Sequence, residues 1–476
     1  MDEGIQTVEE VITRSDSAFV GHHPPLRRKP AGRKPNPCID QNVTAAMVAG
    51  MARKTFPELN QWFAALPDPR RQELCVYRAT HIWWAGTLMF LMRAGSRNAF
   101  DQNRNSGHAP SNMGHWCGQT KDDPRFDGEP RITCSDNVTR HLNRVSDVLV
   151  QDIPTAMTGK LLKQRMFDDC RILGSWYPLI VDGTVRELCR KGFSEDGKSG
   201  GRARKRYRYV LQCGLLGPDN TLFPLLYEHA DMHDPETEKE DCEIKAFYRL
   251  AKRLKRQFPR MKFCIIADSL YCAATVADLC DQYHWKYVVT LKEGRQPCLW
   301  DEVLRLLPLS TSNVVRTWTG QDGKEGLRDF RWVADLVLGR KPCTVVLSGE
   351  FTGAEGTLYV YATNFLVTRD RVLEIIPATG RERHHIEDYF NTGKNNGIGL
   401  GHVFCASLNA SKNFFSLMQI AWILWTIICH GCLKRLFRWA ALATDQALAH
   451  AVGEGMRAYP LPEILPACGQ IRFVTS

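Results

Sequence analysis

Two short apolar runs, each closed by an aspartate, restrict this chain more than any other feature. Trp176–Val181 ends in Asp182, and Phe263–Ala267 ends in Asp268. Runs of this length, apolar throughout, read as strands buried on both faces of a helix-covered sheet. Between them lie two further strand-like runs, Tyr207–Leu216 and Leu222–Tyr227, joined by the turn Gly217-Pro218-Asp219-Asn220. An amphipathic helix over Glu236–Phe258 follows, with Ile244, Phe247, Leu250, Ala251 and Leu254 on its apolar stripe. A helix at about Ala273–Tyr283 and a strand at Lys286–Leu291 complete the alternation. The expectation is a mixed α/β layer in which the two strand-end carboxylates converge at one edge of the sheet, where open α/β sheets bind ligands. Carboxylates are hard oxygen donors suited to Mg²⁺ or Mn²⁺. A buried pair of them is costly without a cation. A single strand-end aspartate serves equally well as a turn or helix cap.

A third acid lies in Arg383-His384-His385-Ile386-Glu387-Asp388-Tyr389-Phe390-Asn391-Thr392-Gly393-Lys394. Read as a helix over Arg381–Phe390, this segment sets Arg383, Glu387 and Lys394 on one narrow stripe at about 3.6 residues per turn. Ile386 and Phe390 fall on the neighbouring face, ready to pack. The stripe offers one carboxylate between two cations, which suits a metal ligand beside phosphate contacts. An exposed Arg–Glu pair four residues apart has the same pattern. His384 and His385 read as packing or phosphate contacts rather than metal ligands.

The remaining sequence sets the surroundings. With 476 residues, the chain is long enough for two to four domains, and hydrophobic residues make up 44%, enough for most of it to fold. The net charge of +10 suits a polyanion, and its location matters more than its sum. Basic residues gather in the tail up to about Asp40, with Arg27, Arg28, Lys29, Arg33 and Lys34 among prolines, which reads as a disordered arm or a DNA-groove ligand. They gather again in Lys191–Arg208, read as a loop that grips a DNA backbone through Arg202, Arg204, Lys205 and Arg206 or simply stays solvated. Asn42–Phe100 and Val138–Met166 read as helical, the latter with Leu142, Val145, Val148, Leu149 and Ile153 at helical spacing, and Gly107–Pro130 reads as loop. The 17 cysteines are scattered and Met1–Glu10 is acidic and polar, so the thiols are expected to be reduced and cytosolic. Cys429 and Cys432 read as core thiols on a helix, since a zinc site needs two more ligands. Phe414–Cys429 is shorter than the ~20 residues of a membrane span and reads as a buried core helix.

From about Trp176 to Lys394 these features together resemble the bacterial insertion-sequence transposases with a DDE triad and the Y-x2-R-x3-E-x6-K signature. Val181-Asp182-Gly183-Thr184 is similar to their first-aspartate strand. Ile266-Ala267-Asp268-Ser269-Leu270-Tyr271, followed by Val288-Val289-Thr290-Leu291-Lys292-Glu293-Gly294, is similar to their second block. Arg383, Glu387 and Lys394 match the R, E and K, while Gly380 falls where the signature has tyrosine and His384 where an aromatic is usual. The β-prone runs between about Pro297 and Phe365, within the 119 positions separating Asp268 from Glu387, resemble the family's inserted β domain.

The resemblance implies a ribonuclease-H-like catalytic core, which the strand order also fits, with a β-rich insertion and helical regions on either side. The implied organisation is a basic arm (1–40), a helical DNA-binding region (41–170), the first part of the core (171–296), the insertion (297–365), the rest of the core with C-terminal helices (366–443) and a tail (444–476). It also implies cut-and-paste transposition in the bacterial cytoplasm. Two Mg²⁺ ions (or Mn²⁺) would be held by Asp182, Asp268 and Glu387, with Asp182 bridging them. Arg383 and Lys394 would contact DNA. The partners implied are terminal inverted repeats and target DNA, bound by a homodimer in the synaptic complex. A metal-dependent nuclease without strand transfer and a non-cutting DNA-binding regulator are the alternatives, with a zinc-structured scaffold behind them.

Overall fold

The computed structural model describes residues 38–189, 198–200, 205–230, 239–321, 324–352 and 355–461. Helices α1 (Gln41–Thr55), α2 (Leu59–Ala65), α3 (Ala79–Leu91), α4 (Arg97–Asn103), α5 (Ala109–Cys117), α6 (Ser135–Leu142) and α7 (Asp147–Lys163) come first. Strands β1 (Tyr177–Cys189), β2 (Lys198–Gly200), β3 (Lys205–Leu216) and β4 (Leu222–His229) follow, then α8 (Lys239–Gln257), β5 (Phe263–Ala267), α9 (Ala274–Tyr283) and β6 (Lys286–Thr290). Next come α10 (Pro297–Leu306) and the strands β7 (Val314–Gln321), β8 (Lys324–Leu338), β9 (Lys341–Thr352) and β10 (Glu355–Thr363). Helices α11 (Arg369–Ile375), α12 (His384–Asn395), α13 (Leu408–Ile428) and α14 (Asp445–Ala458) end the described chain, with short helical turns between the last two. The mixed α/β character expected from the alternating runs is present.

The chain divides into two units. One contains Cys170–Asp182 and Arg253–His384. In it β1 pairs in parallel with β5, and β5 in parallel with β6. β10 then pairs antiparallel with β6, and β10, β9, β8 and β7 continue as an antiparallel meander. The β-rich segment therefore extends the sheet that carries the aspartates. Phe263 to Ala267 are all buried, as expected of a strand covered on both faces. Cys264, Cys272, Cys280 and Cys343 are free, buried thiols.

The second unit contains Lys34–Asp169, Gly183–Lys252 and His385–Ser476. Its core is α13, which packs against α7, α3 and α1, while α14 packs on α1. Helix α13 is long and apolar enough to cross a membrane, but 83% of its most apolar window is buried in the protein, as a core helix is. β3 pairs with both β2 and β4. Helix α7 lies against β4, where Thr158 Oγ1 donates to the Pro224 carbonyl at 2.7 Å.

Several local expectations are corrected. Gly107–Pro130 contains α5, whose C-cap Gly118 adopts φ 72°. Val148 and Leu149 are 57% and 41% exposed, because α7 buries the stripe Val150, Ile153, Met157 and Leu161 instead. Lys191–Arg208 is not one loop. β1 runs on to Cys189, Lys198–Gly200 forms β2, and Lys205 already lies in β3. Of the basic residues assigned there to DNA, Arg202 and Arg204 lie outside the described residues, and Lys205 and Arg206 are described as backbone of β3. The arm before Pro37 also lies outside the described residues.

Candidate active site

In the first unit, β1 and β5 pair with Tyr177 opposite Phe263 and Ile180 opposite Ile266, an offset of 86 positions. Asp182 and Asp268 are separated by the same 86 positions. Each lies two residues beyond the last register pair, so the register, if continued along both strands, would bring the two residues level. Both are part-buried. Asp268 follows the last residue of β5 and caps the short 3₁₀ turn Ser269–Tyr271, its Oδ1 accepting from the Leu270 amide at 2.9 Å. The capping role is thus realised at Asp268.

Arg383 lies in the same unit, at the end of the 3₁₀ turn Gly380–Arg383 and one residue before α12. Its Nη1 is 3.5 Å from Asp182 Oδ2, with the two side chains 27% and 20% exposed. The stripe expected to run through Arg383, Glu387 and Lys394 is corrected here: the α-helix begins at His384, so Arg383 stands outside it. The backbone is wound more tightly before the helix proper, which turns Arg383 towards β1.

In the second unit, Glu387 is exposed on the first turn of α12, and Lys394 lies in its last turn. Lys394 Nζ donates to Thr184 Oγ1 at 2.7 Å, two residues beyond Asp182 on β1. Ile386, Tyr389, Phe390 and Gly393 form the buried face of α12. Tyr389 is the residue that sequence reading missed: its hydroxyl donates to Gln419 Oε1 of α13 at 2.6 Å, and its ring stacks edge-on against Trp422 at 4.3 Å. Tyrosine beside phenylalanine reads as core from sequence, and nothing local names a partner 30 positions away.

Two further features of this unit hold β1 in place. An added Cβ at Gly183 would lie 2.0 Å from the Tyr209 hydroxyl, so only glycine fits next to Asp182. That hydroxyl donates to the buried Glu243 at 2.6 Å. Further along β1, Glu187 accepts from Arg208 at 2.8 Å and from Ser411 Oγ at 2.7 Å, while Arg186 Nη1 donates to the Ser411 carbonyl at 2.9 Å. Arg186, Glu187 and Arg208 are all buried. Arg208, the last residue of the basic segment Lys191–Arg208, is an internal ion-pair partner. Removing Glu187 would leave two buried guanidiniums uncompensated, the costly way to break such a cluster.

Two other groups bring possible ligand atoms together. His384, His385 and Asp388, on the first turn of α12, offer atoms within 4.8 Å of one another. Cys429, His430 and Asp445 do the same in the second unit. There burial pushes the Asp445 carboxyl up, but the His430 hydrogen bond and the charge and 2.7 Å hydrogen bond of Lys434 outweigh it and hold the carboxyl well below the usual range. A carboxylate so compensated has little charge left for a metal ion. Cys432 points to Met51, with Sγ and Sδ 3.5 Å apart, consistent with core thiols rather than a zinc pair.

A family model described as transposase DDE domain matches residues 177–424, slightly more than half of the chain. No curated protein matches it.

Proposed function

This chain belongs to the DDE transposase family, and we propose that it cuts the ends of a DNA element and joins the freed 3′-hydroxyls to target DNA. The observation that supports the reading is the shared 86-position offset: the β1–β5 register, carried two residues past its last pair, would bring Asp182 and Asp268 level inside the family-matched segment. Glu387 is assigned as the third acid on its match to the E of the signature. The donors fit a hard divalent cation: all are carboxylates, and Asp182 and Asp268 are part-buried just past the last β1–β5 register pair. Divalent ions bound there would supply Lewis-acid activation of the attacking oxygen and neutralise charge at the leaving oxygen.

The protein's own groups do the rest. Arg383, beside Asp182, holds the phosphate next to the scissile bond with a planar pair of donors. Lys394 adds a second cation from α12. Asp268 keeps its orientation through the Leu270 amide. The strand with Gly183, clamped by Tyr209, holds Asp182 rigid. Terminal inverted repeats and target DNA are the substrates, and a homodimer in the synaptic complex fits the need to handle two ends.

The test is incubation of purified protein with its element ends, with mapping of the cut and joined strands. Cleavage and joining should require Mg²⁺ or Mn²⁺, while Ca²⁺, which relaxes the octahedral geometry, supports binding with little cutting. Full activity in excess EDTA would sink the two-metal reading. Cleavage without any joined product would reduce the chain to a nuclease.

A further inference from the structure

Gly380 falls where the Y-x2-R-x3-E-x6-K signature that this segment resembles has a tyrosine, and in this protein a tyrosine ring fills that space from elsewhere. A Cβ added at Gly380 would lie 2.5 Å from Cζ and 2.6 Å from Cε1 of Tyr361. Tyr361 belongs to β10, opposite Thr290 of β6, and is 3% exposed. Its neighbour on the same strand face, Tyr359, lies nearly parallel to it, at 10° and 6.4 Å between ring centres. Arg381, the next residue in the turn, lays its guanidinium over Tyr359 at 4.3 Å and pairs with Glu350 at 2.9 Å. The turn Gly380–Arg383 is therefore seated on two tyrosine rings of the sheet, and its last residue reaches Asp182 at 3.5 Å.

We infer that Tyr361 is a positioning residue for Arg383: its ring, seated on Gly380, sets how closely the turn approaches the sheet and hence where the Arg383 guanidinium lies. Any side chain at Gly380 must lift the turn or displace the ring, because approaches under about 3 Å are not tolerated. Arg383 is three residues along a tightly wound turn, so a lift at Gly380 moves the guanidinium with it. Displacements of about 1 Å in a positioned group are enough to cost up to about 100-fold in rate. The hydroxyl is not what matters. The role belongs to the ring, and a phenylalanine performs it. The inference rests on the reading that Arg383 serves DNA cleavage.

Two measurements test it, and only the second depends on that reading. In thermal melting of the full chain, Gly380→Tyr and Tyr361→Ala should each lower Tm, and the double variant Gly380→Tyr/Tyr361→Ala should recover at least half of the larger loss. A double variant no more stable than its worse parent overturns the exchange of one ring for the other. In single-turnover cleavage per folded molecule, Tyr361→Leu should fall about tenfold while Tyr361→Phe restores the rate to within about twofold. In an Arg383→Ala background, Tyr361→Leu should cost less than about twofold, because the group it positions is gone. An undiminished tenfold loss there would show that Tyr361 does not act through Arg383. Wild-type protein and Asp182→Ala are run alongside. Failure of the first to cut with metal, or cutting by the second, would refute the functional reading and leave the melting cycle to decide the seat of the ring.

Discussion

Asp268 has two duties that a single substitution confounds and a pair of substitutions separates. As a cap it accepts from the Leu270 amide, which needs only an oxygen; as a metal ligand it needs its charge. Asp268→Asn should therefore melt within about 1 kcal/mol of wild type and still lose cleavage, whereas Asp268→Ala should lose both. Asp182→Ala and Glu387→Ala should likewise abolish cleavage with end binding largely kept, since phosphate is held by other side chains. Near-normal cutting by any of these variants removes that residue from the site. Arg383 and Lys394 form the complementary case. The Arg383–Asp182 pair is part-exposed, so its loss should cost under about 1 kcal/mol of stability. Arg383→Ala should slow cleavage and weaken end binding with Tm nearly unchanged, and more severely than Lys394→Ala, because lysine acts as a point charge. A lowered Tm with an unaltered rate per folded molecule would return both residues to a structural role. Arg383 stood out in the sequence by its spacing to Glu387, but its pairing with Asp182 did not, because the two lie about 200 positions apart.

Among the elements, the helices before β1 carry a pH dependence that follows from burial. His81 accepts from the Thr133 amide at 3.2 Å, and burial pushes its pKa down to about 3. His141, packed on Trp83, is pushed down to about 4, chiefly by burial, with Arg70 adding to the effect. Both are neutral when folded, while the unfolded chain takes up protons near pH 6.5. Their contribution to stability is thus complete above pH 6.5 and is lost as pH falls towards 4, by at most about 1.4 kcal/mol per pH unit for each. Tm measured across that range should fall with acidification, and His81→Gln should flatten the slope. A slope unchanged in the variant would assign the acid sensitivity to other groups. Elements were legible where their period is local: the buried strands and the stripe of α8 follow from residue order. The extension of β1 through Arg186 and Glu187 was not, because charged residues in a buried strand are tolerable only once Arg208 and Ser411 neutralise and bond them.

At the scale of the molecule, DNA affinity should be spread over regions distant in sequence. Removing residues 1–40, with Arg27, Arg28, Lys29, Arg33 and Lys34, should weaken DNA binding without destroying the catalytic core. The salt slope should drop by about 0.9 for each phosphate that the arm no longer neutralises. An unchanged slope would make the arm a passive tail. Residue order alone determined the alternation of strands and helices, the two strand-end aspartates and the spacing that points to Arg383 and Glu387. Each is a short-range property: burial on both faces forces apolar runs, and a helix repeats every few residues. Only the tertiary structure decided that the β-rich segment extends the aspartate-bearing sheet through β10 and β6, that Arg208 is an internal counter-ion and that Tyr361 fills the space at Gly380. Those facts depend on which distant surfaces meet, and the free energy that selects them comes from packing and charge compensation that no local stretch contains.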